Sequence, residues 1–144
     1  MARIERRHKV VLKIGLYGSL EAAARLTIIV EPGKVIHIGR EKKYSNVALA
    51  DSRLSRKHLS IEIRDGGVLV RDLETKNGTE LNGSELTSEG EYISVGDMMR
   101  IGKHLLIVDQ MEKLLDQDIV EDKIIYEEGG TRTEVGKIVS GYGA

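Results

Sequence analysis

Cysteine, tryptophan and phenylalanine are absent from this sequence of 144 residues, and proline occurs once. Without cysteine, the chain can form neither a disulfide nor a thiolate metal site, and it has no cysteine nucleophile. We therefore expect a protein of the cell interior and assign it to the cytoplasm. No stretch approaches the ~20 consecutive apolar residues of a membrane span, and no charged start precedes an apolar stretch as in a signal peptide, so no membrane partner is expected.

The charges nearly balance, at a net −1, but they are unevenly placed. This balance argues against a protein that coats nucleic acid, and no nucleic-acid partner is expected. Residues 40–58 hold six lysines or arginines against Glu41 and Asp51, whereas residues 109–128 hold eight aspartates or glutamates. A basic centre and an acidic C-terminal part indicate a local anion-binding site, which the tail could reach.

Short apolar runs of Ile, Leu and Val recur along the chain and are separated by turn signals. In residues 58–63 the apolar side chains alternate with polar ones, as one buried face of a strand requires. Asn77-Gly78 and Asn82-Gly83 are strong hairpin signals because both residue types tolerate a positive φ. Many short strands with frequent turns predict an all-β fold, an antiparallel sandwich or barrel.

Two stretches depart from the strand pattern. Residues 19–25 could form one or two helical turns, and residues 110–126 space their apolar side chains more as a helix does than as a strand does. We therefore predict a short amphipathic C-terminal helix over 110–126. Residues 127–144 are rich in glycine and polar residues, which predicts a flexible tail.

Cationic and small polar side chains gather at the ends of the predicted strands between residues 39 and 83. Arg40 follows one strand, Ser55 and Arg56 precede the next, and Lys76 and Asn77 lie in a later loop. Loops at one end of a sandwich cluster together, so these groups are expected to face one shared space. Guanidinium groups, a hydroxyl and backbone N–H groups suit a dianion, and a phosphorylated side chain matches that supply of donors.

The order and spacing of four short motifs resemble the forkhead-associated (FHA) domain family. They are Gly39-Arg40, Ser55-Arg56-x-His58, Asn77-Gly78 and Asn82-Gly83. The resemblance covers about residues 25–109 and implies an antiparallel β-sandwich of about eleven strands that binds phosphothreonine peptides without catalysis. It divides the chain into an N-terminal strand extension over 1–24, the FHA core over 25–109, and the C-terminal helix and tail over 110–144.

The resemblance also implies a role for each motif residue. Arg40 and Ser55 would grip the phosphate, Arg56 would add a phosphate or peptide contact, and Asn77 would hydrogen-bond the peptide backbone. His58 would brace the loops from behind. The other motif positions would shape turns: Gly39, Gly78, Asn82 and Gly83.

Two further cations bear on the peptide that would bind. Lys76 stands where the family commonly has serine or threonine, so a positive charge replaces a hydroxyl. The family's loop before Ser55 helps to choose the residue three places after the phosphothreonine, and Arg53 in that loop predicts Asp or Glu there.

The resemblance implies a phosphothreonine-containing protein of Ser/Thr kinase signalling as the partner, with the kinase itself as one possibility. The tail offers another, because a kinase could modify Thr131 or Thr133. The resulting phosphothreonine could then enter the site of the same chain or of a second chain.

Two other functions stay open at this point. An assembly module of the same fold could bind unphosphorylated protein, which the replacement at Lys76 favours. An enzyme that uses Ser55 and His58 would lack an orienting carboxylate, and residues three apart on a strand point to opposite faces. The four histidines have no metal-ligand spacing, so neither a metal ion nor a cofactor is expected: His8, His37, His58 and His104.

Overall fold

The computed structural model describes residues 5–18, 22–120, 123–128, 131–134 and 138–140, and these residues form strands joined by turns and loops. The strands in chain order are β1 (His8–Leu16), β2 (Ala22–Val30), β3 (Ile36–Gly39), β4 (Val47–Leu49), β5 (Leu59–Arg64), β6 (Gly67–Asp72), β7 (Thr79–Leu81), β8 (Ser84–Leu86), β9 (Glu91–Tyr92), β10 (Met98–Ile101), β11 (His104–Lys113), β12 (Ile124–Glu128), β13 (Thr131–Glu134) and β14 (Ile138–Ser140).

The strands form two sheets that pack as a sandwich. One sheet has the order β13-β12-β2-β1-β11-β10-β7-β8, and the other has the order β14-β4-β3-β5-β6-β9. Neighbouring strands are antiparallel except that β4 pairs in parallel with β3 and with β14. The predicted all-β sandwich is confirmed.

The alternation read in residues 58–63 places one face of β5 in the core. Leu59 and Ile61 are fully buried and Ile63 is almost so. Ile61 pairs with Ile36 on β3 and with Val70 on β6, so the centre of this sheet presents branched apolar side chains to the opposite sheet. Burial of each such side chain contributes about 1.5–3 kcal/mol, which lets a core without phenylalanine or tryptophan hold the sandwich together.

The predicted helix over 110–126 is wrong. Strand β11 continues to Lys113, residues 114–120 form a turn and loop, and β12 begins at Ile124. Backbone pairing decides the matter, because Met111 lies opposite Val10 in a long ladder with β1. The apolar residues of the predicted stripe do not share a face: Met111 packs against the core, whereas Ile119 is 89% exposed.

Two other local predictions also differ from the structure. Residues 22–25 belong to β2 rather than to helical turns, and residues 19–21 lie outside the described residues. The described residues between 127 and 140 include the end of β12, β13 and β14, where a flexible tail is predicted. Glu128 and Thr131 face each other in the β12–β13 pairing, which extends the larger sheet.

Nowhere in the described residues does a helix have the length and apolar character needed to cross a bilayer.

Candidate functional site

Strand register brings three loops to one end of the smaller sheet. Ile38 pairs with Leu59, and Leu59 pairs with Asp72. The residues that follow β3, precede β5 and follow β6 therefore lie side by side. We call these connections loop A (residues 40–46), loop B (residues 50–58) and loop C (residues 73–78).

Loops A and B are joined through their backbones. The N–H of Arg40 donates a hydrogen bond to the carbonyl oxygen of Ser55 across 3.0 Å. The hydroxyl of Ser45 donates to the carbonyl oxygen of Arg56 across 2.6 Å. Gly39 lies against the same carbonyl group, and a side chain there would overlap it. Arg40 and Ser55 are thereby neighbours, as the motif reading requires, and Ser45 is a support that the sequence did not reveal.

A cluster of charged side chains lies where loops A and B meet. One carboxylate oxygen of Glu41 is 3.4 Å from Nη2 of Arg40 and 3.3 Å from Nε of Arg56. The ring of Tyr44 lies 5.8 Å from the guanidinium carbon of Arg56, within range of a cation–π contact. The structure therefore brings two of the predicted phosphate-binding arginines together around a shared acidic residue.

His58 connects loop B to loop C from within the core. Its ring is fully buried, its Nδ1 accepts the N–H of Ser55 at 3.1 Å, and its Nε2–H donates to the carbonyl oxygen of Gly78 at 2.8 Å. A ring nitrogen that accepts an N–H carries no proton, so these bonds define the neutral Nε2–H tautomer. Neither nitrogen is free to take a proton from the Ser55 hydroxyl, which argues against the serine–histidine enzyme.

Loop C is held by a side-chain network centred on Asp72. The hydroxyls of Thr75 and Thr79 each donate to Oδ1 of Asp72 across 2.7 Å. The N–H of Gly78 donates to the Thr75 hydroxyl across 3.0 Å. Sequence reasoning missed this network, although aspartate and threonine side chains often hydrogen-bond nearby backbone groups in turns.

Asn77 and Lys76 are exposed near the end of loop C. The Asn77 side chain donates from Nδ2 to the carbonyl oxygen of Arg53 across 2.7 Å, which joins loop C to loop B. A shallow depression of about 240 Å³ adjoins this contact, and its lining includes Arg53, Asn77 and Arg100. The guanidinium of Arg100 is stacked 3.8 Å from the centre of the Tyr17 ring. The lining also includes Glu80, which lies opposite Arg100 in the β7–β10 pairing, so the two arginines exceed the carboxylate by one charge in this space.

The remaining motif, Asn82-Gly83, lies away from the charged cluster. These residues form the β7–β8 turn with φ angles of 51° and 83°, at the opposite end of β7 from Thr79. The Asn82 side chain accepts the N–H of Met98 and donates to Asp97. This placement fits a turn-shaping residue and puts no group into the site.

Asp51 anchors loop B to the β10–β11 turn. Its buried carboxylate accepts hydrogen bonds from Nδ1–H of His104 and from the backbone N–H groups of Lys103 and Arg53, each 2.9 Å long. Burial alone would raise the pKa of Asp51, but these hydrogen bonds outweigh it, and the pKa lies below its ordinary value.

Among the residues that the structure describes, no three histidines, aspartates or glutamates gather closely enough to hold a metal ion.

Comparisons with known proteins agree on one kind of domain. A protein family described as the cytoplasmic domain of the inner membrane component of T3SS matches residues 24–112. An FHA domain-containing protein of Arabidopsis thaliana is 34% identical over 95 residues, which are 61% of this chain and 25% of that protein. The matched part thus spans a quarter of the length of this curated relative.

Solved structures show the same likeness. A structure described as an analysis of phosphothreonine-dependent FHA domain interactions is 28% identical, with a TM-score of 0.56 over 71% of this chain and 96% of that chain. The FHA domain of FhaA, complexed with the intracellular domain of Rv3910, is 29% identical, with a TM-score of 0.54 over 69% of this chain and 98% of that chain.

Proposed function

This chain belongs to the FHA domain family, and we propose that it binds partner proteins that carry a phosphorylated threonine. FHA domains are binding modules without catalytic activity, and phosphothreonine recognition is their general function. For this chain we assign the phosphate to Arg40 and Ser55, with Arg56 as a further contact.

The juxtaposition of Arg40 and Ser55 is the observation that carries this proposal. The hydrogen bond between their backbones holds a guanidinium-bearing residue and a hydroxyl-bearing residue side by side. A phosphothreonine presents roughly −1.5 to −2 charge and three acceptor oxygens. Each charge-assisted hydrogen bond to it contributes about 1.5–3 kcal/mol, whereas a plain threonine offers only one weak partner.

Loop C supports the rest of the peptide in this proposal. The Asn77 amide is exposed and joined to loop B, a position from which it can hydrogen-bond a peptide backbone. Lys76 lies next to it and contributes positive charge in place of a hydroxyl. The contact area of a short peptide is small, so we expect a dissociation constant near the micromolar range.

The partner class follows from the modification. Phosphothreonine is made by Ser/Thr kinases, so we assign the protein to kinase signalling in the cytoplasm. A partner that carries the modified threonine, or the kinase itself, would occupy the site. The complex of FhaA with an intracellular protein domain supports a protein ligand over a small molecule.

Calorimetry with matched peptides tests the proposal. Phosphothreonine, phosphoserine and unmodified versions of one peptide library are titrated into the wild-type chain, Arg40→Ala and Ser55→Ala. We expect each variant to lose most of the preference for phosphothreonine. Arg64→Ala is the control, because Arg64 lies at the end of β5 opposite to Leu59 and loop B. Full preference in both variants would show that the phosphate binds elsewhere.

A second candidate is an assembly module that binds unphosphorylated protein through the same fold. Lys76 in place of a hydroxyl favours it, and so does the match to a T3SS component, since that family is named for a multi-protein machine. Pull-downs before and after phosphatase treatment separate the two functions. Capture that survives phosphatase would favour assembly, and capture that is lost would favour phosphothreonine recognition.

A further inference from the structure

Glu41 occupies the place between two of the residues assigned to the anion. Its Oε1 lies 3.4 Å from Arg40 Nη2 and 3.3 Å from Arg56 Nε, so one carboxylate oxygen bridges loops A and B. An acidic side chain directly after the motif arginine is not part of the assigned binding set. Its contacts therefore need an explanation that the phosphate site alone does not give.

Holding the loops in position does not require this carboxylate. Loops A and B are already joined by the Arg40 N–H to Ser55 bond and by the Ser45 hydroxyl to Arg56 bond. The backbone of Glu41 contributes separately, because its carbonyl oxygen accepts the N–H groups of Tyr44 and Ser45. The side chain can leave without breaking any of these bonds.

The contacts of the Glu41 carboxylate are also easy to exchange. The side chains of Arg40, Glu41 and Arg56 are 40%, 38% and 65% exposed, and both distances are at the long end for an ion pair. Exposed ion pairs of this kind contribute little because water competes for both partners. A ligand that offers more acceptor oxygens and more charge can displace the carboxylate.

We propose that Glu41 is an internal competitor for the anion, which restricts the site to dianionic ligands. This inference rests on the proposed function and adds a specificity-determining residue to it. An aspartate or glutamate of a partner would only reproduce the contacts that Glu41 already makes, so the exchange gains nothing. A phosphate brings about twice the charge and three acceptor oxygens, enough to bond both guanidinium groups and still offer an oxygen to the Ser55 hydroxyl.

The alternative role for Glu41 is to position the arginines, and the two roles predict opposite signs. A positioning residue improves binding, so its loss weakens the complex with phosphopeptide. A competitor impairs binding, so its loss strengthens the complex. The substitution Glu41→Gln removes the negative charge and keeps the shape of the side chain, which makes it the appropriate variant.

The experiment compares the wild-type chain, Glu41→Gln and the control Glu112→Gln by calorimetry at physiological salt. Glu112 is exposed near the C-terminal end of β11, away from the proposed site. Glu112→Gln makes the same change in net charge as Glu41→Gln. Three versions of one peptide are used, with phosphothreonine, glutamate or threonine at the central position. Inorganic phosphate is titrated separately and followed by the backbone amide signals of loops A and B.

We expect Glu41→Gln to bind the phosphopeptide and inorganic phosphate about three- to tenfold more tightly, and to bind the glutamate peptide measurably. The wild-type chain and Glu112→Gln should bind the glutamate peptide no better than the threonine peptide. Weaker or unchanged phosphopeptide binding by Glu41→Gln would overturn the competitor role and leave the proposed function intact. Phosphopeptide binding by Glu41→Gln alone would support the competitor role. If none of the three proteins bound the phosphopeptide, both the competitor role and the proposed function would be overturned.

Discussion

The Nε2–H of His58 donates to the carbonyl oxygen of Gly78 across 2.8 Å, and this bond from a fully buried ring joins loop B to loop C, two of the three loops of the proposed site. The other ring nitrogen accepts the N–H of Ser55, so a single side chain fixes the hydroxyl-bearing loop relative to the asparagine-bearing loop. A site whose loops are already in place spends less of its binding free energy on ordering them. His58 therefore supports recognition without touching a ligand.

His58→Ala should destabilise the fold by about 2–4 kcal/mol. It leaves the Ser55 N–H and the Gly78 carbonyl group without their partner and opens a cavity in a fully buried place. Urea unfolding measures the loss, and His37→Ala is the comparison because the His37 side chain is only half-buried. Equal losses in the two variants would contradict a special role for the His58 bonds.

Gly39→Ala should be more damaging than Gly67→Ala. A Cβ on Gly39 would overlap the backbone carbonyl oxygen of Arg56 and lie 2.6 Å from the Ser45 hydroxyl oxygen, and neither can move without separating loops A and B. A Cβ on Gly67 would meet the half-exposed ring of Tyr92 at 2.8 Å, and that ring can turn aside. We expect a loss above about 2 kcal/mol in the first variant and below about 1 kcal/mol in the second, from thermal and urea unfolding.

The carboxylate of Asp51 should make the stability of the fold sensitive to acid. Folding lowers its pKa, so the carboxylate stabilises the folded chain fully above the unfolded-state value near 3.8. That contribution is lost as the pH falls through the lower folded-state pKa. Asp51→Asn should cost about 1–3 kcal/mol at neutral pH, because its amide nitrogen would face an N–H donor.

Urea unfolding of both proteins between pH 2 and pH 7 measures this effect. The difference in unfolding free energy between wild type and Asp51→Asn should shrink as the pH approaches 2. Asp116→Asn, at an exposed position, controls for the general loss of a carboxylate. If the difference in unfolding free energy stayed constant from pH 2 to pH 7, the negative charge of Asp51 would not be the source of its contribution to stability.

The sequence predicted the strands because strands depend on local patterns. Alternation in residues 58–63 and the Asn82-Gly83 hairpin depend on neighbouring positions, and the structure has a strand and a turn there. The hairpin predicted at Asn77-Gly78 is wrong, because these residues lie in loop C between strands of different sheets. The error over 110–126 has a different origin. Apolar residues at mixed spacings fit a helix or a strand, and only the ladder to β1, a hundred residues away, decides for the strand.

The side-chain partners within the site were beyond sequence reasoning for a related reason. In the sequence, Glu41 is a single acidic residue among cations, and its contact with Arg56 depends on the approach of loops A and B. In the sequence, Asp72 is only the polar end of a strand, and its hydrogen bond from the Thr79 hydroxyl depends on the path of loop C. Such contacts depend on how closely the loops approach one another, which the strand pairing sets and no short spacing records.

Phosphorylation of Thr131 or Thr133 should reduce the affinity for an outside phosphopeptide. Both threonines lie on β13 in the larger sheet, and the next strand, β14, pairs with β4, which follows loop A in the smaller sheet. Occupation of the site by the same chain would lower the affinity equally at every protein concentration. Occupation by a second chain would lower the affinity more as the protein concentration rises.

Calorimetry at several protein concentrations, with sedimentation to follow self-association, checks this expectation. A chain with both Thr131→Ala and Thr133→Ala, treated with the same kinase, is the control. Unchanged peptide affinity at every concentration would dismiss occupation by the chain's own C-terminal residues, whether in the same copy or in a second one.

Arg53 should favour an acidic residue three places after the phosphothreonine. Its side chain is exposed and lines the depression beside Asn77, where the charges of Arg100 and the neighbouring Glu80 offset each other and leave Arg53 as the excess positive charge. Exposed charge pairs contribute about 0.2–1 kcal/mol, so an aspartate at that place should improve affinity about 1.4- to fivefold over alanine. Arg53→Ser should remove most of this preference and Arg53→Glu should reverse it, while phosphate dependence stays intact in both. Peptide arrays measure the preference, and an apolar choice by the wild-type chain would show that the depression reads shape rather than charge.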